Sequence, residues 1–229
     1  MRIISGVKKN LYDCTKAVIL FEGVCKMILK RPMVNTVQDI IDKASVKELI
    51  EFERFCRDNS MWDEMDKCFA IDSKVVISWF QGTGHEFVEA SKKMIGRAPH
   101  KIYNTEIWVN GDKAVAIMIT TIQKRTDIGG YPVELMSDAK LVFRTQRIDG
   151  IWYIVSLEGI YEKDSLVPVI PNSKIVVPVE ELSKFRESYA CLSLVLSGDG
   201  YEIDHNLPGI DRPDLVAKFY KETDEWLSK

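Results

Sequence analysis

A chain of 229 residues is long enough to bury a substantial core in one domain with appendages. Apolar residues make up 46% and charged residues 28%, ordinary for a globular protein, and a net charge of −3 gives no motive for binding nucleic acid or an anionic membrane. Five cysteines, odd in number and without a Cys-x-x-Cys pair, argue against a disulfide framework and a zinc site, and fit a reducing cytoplasm.

Residues 1–32 hold seven Lys or Arg against two acids, a net of +5 that leaves −8 for the rest. The run from Ala17 to Phe21 is too short to span a bilayer, and Glu22 interrupts it, so neither a membrane anchor nor a signal peptide is expected. The charge break sets residues 1–33 apart as a basic extension, with Met33 a candidate start. Thr36 with Asp39 can cap a helix there. Ser45 with Glu48 repeats the capping pattern, and Leu49, Phe52, Phe55 and Cys56 at helical spacing place a helix over 46–57, ending beside Asp58. Ser60 with Asp63 precedes a short helix carrying Trp62, Met65, Cys68 and Phe69. Lys74 to Trp79 reads as a strand by its β-branched content, and a helix over 85–95 stops at Gly96.

From His100 to Arg125, two long strands flank Asn110-Gly111, a dipeptide suited to a tight hairpin turn. Strict alternation places His100, Ile102 and Asn104 on one face and Lys101, Tyr103 and Thr105 on the other. A third strand spans 133–147, and a fourth follows Asp149-Gly150 as far as Tyr161. Helices followed by a meander of strands indicate an α+β fold in which a curved sheet buries one face on the helices. Trp108, Ile117, Ile119 and Trp152 make both sheet faces apolar, so a homodimer through the outer face is expected. Pro168, Pro171 and Pro178 mark an extended connector, and helices over 180–197 and from Pro213 onward read as a C-terminal pair. Residues 34–172 thus form the domain and 173–229 its appendage.

Residues 48 to 171 resemble the SnoaL-like proteins of the nuclear transport factor 2-like superfamily. The likeness rests on Arg57-Asp58 before Trp62, Asp72 before a Val-rich strand, Ser78-Trp79 with Gly82, and Pro99-His100 then Asn104. It continues through Gly111-Asp112-Lys113-Ala114 and Asp149-Gly150-Ile151-Trp152 with Tyr161 and Asp164. The resemblance implies a cone-shaped curved sheet packed on N-terminal helices around an apolar interior. The superfamily includes dehydratases such as scytalone dehydratase, small isomerases, polyketide cyclases and binding modules without chemistry, so fold alone selects no activity. In the enzymes resembled, an aspartate from the first helical region meets a histidine from the sheet, and Asp58 and His100 stand at the matching positions. The superfamily's tyrosines near the pocket mouth have no clear counterpart.

A neutral imidazole can take a proton while a carboxylate fixes its tautomer, which makes Asp58 and His100 the candidate catalytic pair. Each also has a plainer reading, His100 as a strand-edge histidine and Asp58 as a helix-end cap. Asn104 could bind a substrate carbonyl or only the backbone. Asp138 and Arg144 share a strand face; if it is concave, Arg144 could clamp a carboxylate or enolate, and otherwise both are solvated. Trp79 joins them as a candidate for substrate contact. No histidines stand at ligand spacing and no glycine-rich phosphate loop occurs, so neither metal nor cofactor is expected. Two functions remain: a cofactor-independent lyase or isomerase acting on an apolar small molecule, and a non-catalytic small-molecule-binding or dimerisation module.

Overall fold

A computed structural model describes residues 27–229 apart from 35, 172, 174 and 178; most of the basic extension therefore lies outside the described residues. Helix α1 runs without a break over Val37–Asp58. Thr36 and Asp39 close its capping box, whereas Ser45, read as a second cap, sits inside the helix. One stripe explains the continuity: Asp42, Val46, Ile50, Glu53 and Arg57 are all buried at spacings of three and four. The short α2 covers Trp62–Asp66. Met61 occupies its N-cap, and Ser60, expected there, instead takes φ +60° in the turn.

Strands β1 (Phe69–Ile77) and β2 (Phe80–Gly82) follow, then α3 (Gly84–Lys92), with Thr83 and Glu86 as its capping box. Four long strands complete the sheet: β3 (His100–Asn110), β4 (Lys113–Ile128), β5 (Tyr131–Ile148) and β6 (Ile151–Pro168). The order is β2-β1-β6-β5-β4-β3, with β1 parallel to β6 and every other pair antiparallel. The first hairpin turns one residue later than expected, on Gly111-Asp112, because Asn110 still pairs with Lys113. Gly111 supplies the positive φ of +60°.

The concave face forms the main core. Ala116, Met118, Phe143, Ile154 and Leu157 of the sheet meet Val46 and Ile50 of α1 and Phe87 and Val88 of α3. Side chains one position out of phase, Val115, Ile117, Val142 and Ile160, point to the convex face.

Beyond the sheet, α4 covers Val179–Leu182, a 3-10 turn covers Glu187–Tyr189, α5 covers Ala190–Gly198 and α6 covers Pro213–Ser228. The last two are the C-terminal helices expected, but they pack on opposite faces of the sheet. Helix α5 lies over the concave face, where Leu192, Val195 and Leu196 join Leu135, Ala139 and Tyr161. Helix α6 lies on the convex face, packing Phe219, Tyr220 and Leu227 on Val115, Ile117 and Val142. The second apolar face that motivated a homodimer is therefore covered in large part by the chain's own last helix: Trp108 and Ile117 lie in this contact, and Trp152 belongs to the inner core.

Packing also begins earlier than residue 34. Ile28 is fully buried in the convex-face cluster, and Asp224 accepts from the Met27 and Ile28 amides at 2.7 and 2.9 Å.

Candidate active site

Asp58 is the last residue of α1, where a helix disfavours negative charge. The surrounding donors offset that penalty. His100 opens β3 directly after Pro99; its backbone N–H donates to Asp58 Oδ2 at 2.7 Å, and its Nδ1 lies 3.0 Å from Oδ1. Arg57 Nη1 stands 3.5 Å from the same Oδ1, and Arg97 donates to the Asp58 carbonyl at 2.7 Å. Burial pushes the Asp58 carboxyl upward, but the His100 hydrogen bonds outweigh it and hold the group below its ordinary value. An ionised carboxylate against Nδ1 fixes the tautomer: Nδ1 carries the proton and Nε2 is left as the acceptor.

The His100 side chain is only 5% exposed. Burial lowers its pKa to about 4, aided by Arg54 and Arg57 and opposed by Asp58. The imidazole is therefore neutral over the physiological range. Arg54 makes two hydrogen bonds to the buried Glu53 carboxylate and lies 5.8 Å from the centre of the Phe87 ring.

His100 opens onto an enclosed apolar cavity of about 40 Å³. Leu135, Leu141 and Leu157 of the sheet, Phe87 of α3, and Leu192 and Leu196 of α5 supply its apolar wall. Polar groups reach it from Arg54, Arg57, Lys124 and Tyr161. Tyr161 accepts the Ser78 amide at 2.8 Å, and Lys124 is 3.0 Å from Asp199 beyond the end of α5, its ammonium also donating to the Ile95 carbonyl. At the other end of α5, Asp164 accepts the Leu192 amide at 2.7 Å, and burial pushes its carboxyl above the ordinary range. The helix across the cone is thus held at both ends by residues of the sheet.

Of the residues singled out from the sequence, the fold joins Asp58 to His100 and places Trp79 on the cavity that His100 lines. Trp79 lies in the β1–β2 turn, lines the cavity and contacts the rings of Phe87 and Tyr201. Asn104 is exposed. A register shift between Ile102 and Thr105 breaks the alternation, so Thr105, opposite Met118, continues the inward face on which Asn104 was expected. Asp138 and Arg144 face outward. Asp138 accepts from Thr121 at 2.5 Å, and Arg144 lies beneath α6, donating to Thr223 at 2.9 Å with Glu158 at 3.6 Å. Neither can clamp a molecule inside the cone.

Arg54 and Lys124 were not anticipated, and Arg57 and Tyr161 were noted only as part of the resemblance, without a role in the site. For the arginines a signal existed, since they fall on the buried stripe of α1, where an unpaired charge is costly. Among the described residues no cluster of His, Cys, Asp and Glu could hold a metal ion, and no helix is long and apolar enough to cross a membrane.

A curved sheet packed on N-terminal helices is the architecture expected from the resemblance. The chain belongs to the family described as SnoaL-like domain, which matches residues 38–158, from the start of α1 into β6. Pea pathogenicity protein 2 of Fusarium vanettenii is 26% identical over 197 residues, covering 82% of this chain and 84% of that protein. An uncharacterized protein of Emericella nidulans is 27% identical over 164 residues, covering 67% and 69%. The crystal structure of a type 2 hexachlorocyclohexane dehydrochlorinase (LinA) shares the fold at a TM-score of 0.50 and 16% identity. It covers 61% of this chain and 96% of its own.

Proposed function

We propose that the protein is a cofactor-independent lyase or isomerase, in which His100 removes a proton from an apolar small molecule held in the cone and Asp58 keeps the base oriented. The observation that carries this reading is the two-point hydrogen bond between Asp58 and His100 at the wall of an apolar cavity. Nε2 takes a proton from a carbon next to a carbonyl; the C–H electron pair forms the new carbon–carbon double bond as the carbonyl π pair moves onto oxygen. The resulting enolate either regains a proton at another carbon or expels a leaving group. A pKa near 4 makes His100 a weak base on its own. The guanidiniums that depress it line the same cavity, so a negative charge forming there cancels their field and makes the imidazole more basic as the proton moves.

A non-catalytic module of the same fold is favoured by one observation: side chains fill most of the cone and leave a cavity of about 40 Å³, which holds little more than water. Entry of a ligand therefore requires the side chains that line the cavity to part.

Both readings are tested by incubating the full chain in D₂O with a panel of apolar ketones and β-hydroxy ketones, following loss of α-proton signals by NMR. Wild type should exchange or convert at least one compound. His100→Ala and Asp58→Asn should each slow it by about 10² or more, and the double variant should be little worse than either. Wild-type turnover in His100→Ala removes the base assignment. Binding of a panel member without exchange by wild type favours the module.

A further inference from the structure

Helix α1 turns Asp42, Val46, Ile50, Glu53 and Arg57 toward the core, yet its opposite side is apolar as well. Val37, Ile41, Phe52 and Phe55 lie there at 73%, 51%, 40% and 55% exposure, with Ile40 at 57% on their flank and Ala44 exposed between them. The Phe52 and Phe55 rings stack with their centres 6.5 Å apart. Among the described residues nothing covers this side. A single exposed apolar residue is ordinary, but an outward helix face usually carries polar groups, and a strip of this kind marks a contact surface.

The arrangement of the strip indicates what covers it. Ile41, Ala44, Glu48, Phe52 and Phe55 follow one another at spacings of three, four, four and three, a pattern that reads the same from either end about Glu48. A two-fold axis beside Glu48 therefore lays the strip on itself with the two helices antiparallel, the self-complementary geometry of an isologous contact. In that register Ile41 meets the partner's Phe55, and the small Ala44 leaves room for the ring of the partner's Phe52. Lys47 and Glu51 lie on one flank of the strip, so each lysine faces the partner's Glu51 on either side of the axis. Within one copy these two are 3.8 Å apart and 56% and 37% exposed, which leaves both open to a second contact. A parallel pairing would instead set each charge against its like.

We propose that the occupant is a second copy of this chain, paired antiparallel through the outward side of α1. This contact is distinct from the convex sheet face, which α6 covers, and it leaves the cavity beside His100 untouched. The exposed apolar side chains present on the order of 500 Å² per copy, so the pair buries about 1,000 Å², near the lower limit of a specific interface. The association is correspondingly of micromolar strength.

The test is sedimentation equilibrium of the full chain across micromolar concentrations, where a monomer–dimer equilibrium is expected. Phe52→Lys and Ile41→Lys should each weaken it by about tenfold or more. Ile71→Lys, at a β1 position 80% exposed and remote from the strip, should leave it unchanged. Glu48→Gln should tighten it by removing the like-charge contact at the axis. Lys47→Glu and Glu51→Lys should each dimerise less well than wild type, whereas an equimolar mixture of the two should recover as a heterodimer, since both cross-axis pairs are then restored with reversed sign. A full chain that stays monomeric overturns the proposal and leaves residues 1–26 or a different protein as the occupant. Unchanged dimerisation in Phe52→Lys and Ile41→Lys, weaker dimerisation in Glu48→Gln, or a mixture that fails to recover overturns it as well.

Discussion

Acidification should destabilise this fold through His100, and the effect can be separated from every other group. In the folded chain the imidazole titrates at about 4, against 6.5 for an ordinary histidine. Between those values the unfolded chain binds a proton that the folded chain refuses, so stability rises with pH across this window. The contribution is complete above the unfolded value and is lost as pH falls toward the folded one; the gap corresponds to roughly 3 kcal/mol. The Asp58 carboxyl is held below its ordinary value by the same His100 hydrogen bonds, so the stability it contributes is lost only at the acidic end of this window and below. Urea unfolding of wild type and His100→Gln should be compared at intervals from about pH 7 to about pH 4, since the glutamine keeps a donor for Asp58 but cannot titrate. Wild type should lose roughly 3 kcal/mol more than the variant over that range. Equal losses in the two proteins, or an NMR midpoint for His100 at or above its ordinary value, would refute the burial argument and the neutral base with it.

Asp164→Asn keeps an acceptor for the Leu192 amide and removes a charge that burial penalises, so at neutral pH its urea midpoint should match or exceed that of wild type. Asp164→Ala loses the acceptor and should cost about 1 kcal/mol. A chain begun at Met33 lacks Ile28 and should be less stable than one begun at Met27 by about 2–5 kcal/mol in the same assay; equal stability would mean that this contact contributes nothing. Truncation before Pro213 uncovers Val115, Ile117, Val142 and Ile160, and light scattering should then report self-association; a monodisperse truncated chain of unchanged stability would contradict the covering role of α6.

What the sequence disclosed depended on whether the signal was local. The hairpins at Gly111 and Asp149-Gly150 could be read because positive φ angles leave a chemical mark, and the glycines carry it. Asp58 and His100 could be paired because their order along the chain matched a known pattern. Ser45 misled because Ser-x-x-Glu fits the interior of a helix as well as its start, and only the buried stripe continuing through Asp42 decides between them. Asn104 misled for a different reason: alternation assumes an unbroken ladder, and the register shift after Ile102 leaves no composition signal. For Asp138 and Arg144 the alternation held but did not say which face was concave. Both faces are apolar because one is covered by α1, α3 and α5 and the other by α6. Helix α5 itself was visible as a helix; its position across the cone follows from long-range contacts to Asp164 and Lys124.

The parallel pairing of β1 with β6 constrains the order in which the chain can fold. The amide of Ser78 reaches the hydroxyl of Tyr161 across 83 positions, and the amides of Met27 and Ile28 reach Asp224 across 197 and 196. As the chain leaves the ribosome, α1 emerges before the Ala98 carbonyl that Arg57 bonds, and the hairpins of β3 to β6 can form locally before β1 gains its parallel neighbour β6. Contacts of such range make closure slow compared with helical bundles, on the order of milliseconds to seconds. The dyad joins α1 to β3 and needs only the first half of the chain, whereas the convex face is sealed only when the final turns of α6 arrive to meet Ile28. A polypeptide halted just before α6 therefore already holds a closed cone with its histidine in place, yet presents a bare strip of Val115, Ile117 and Val142 to the chaperones around it.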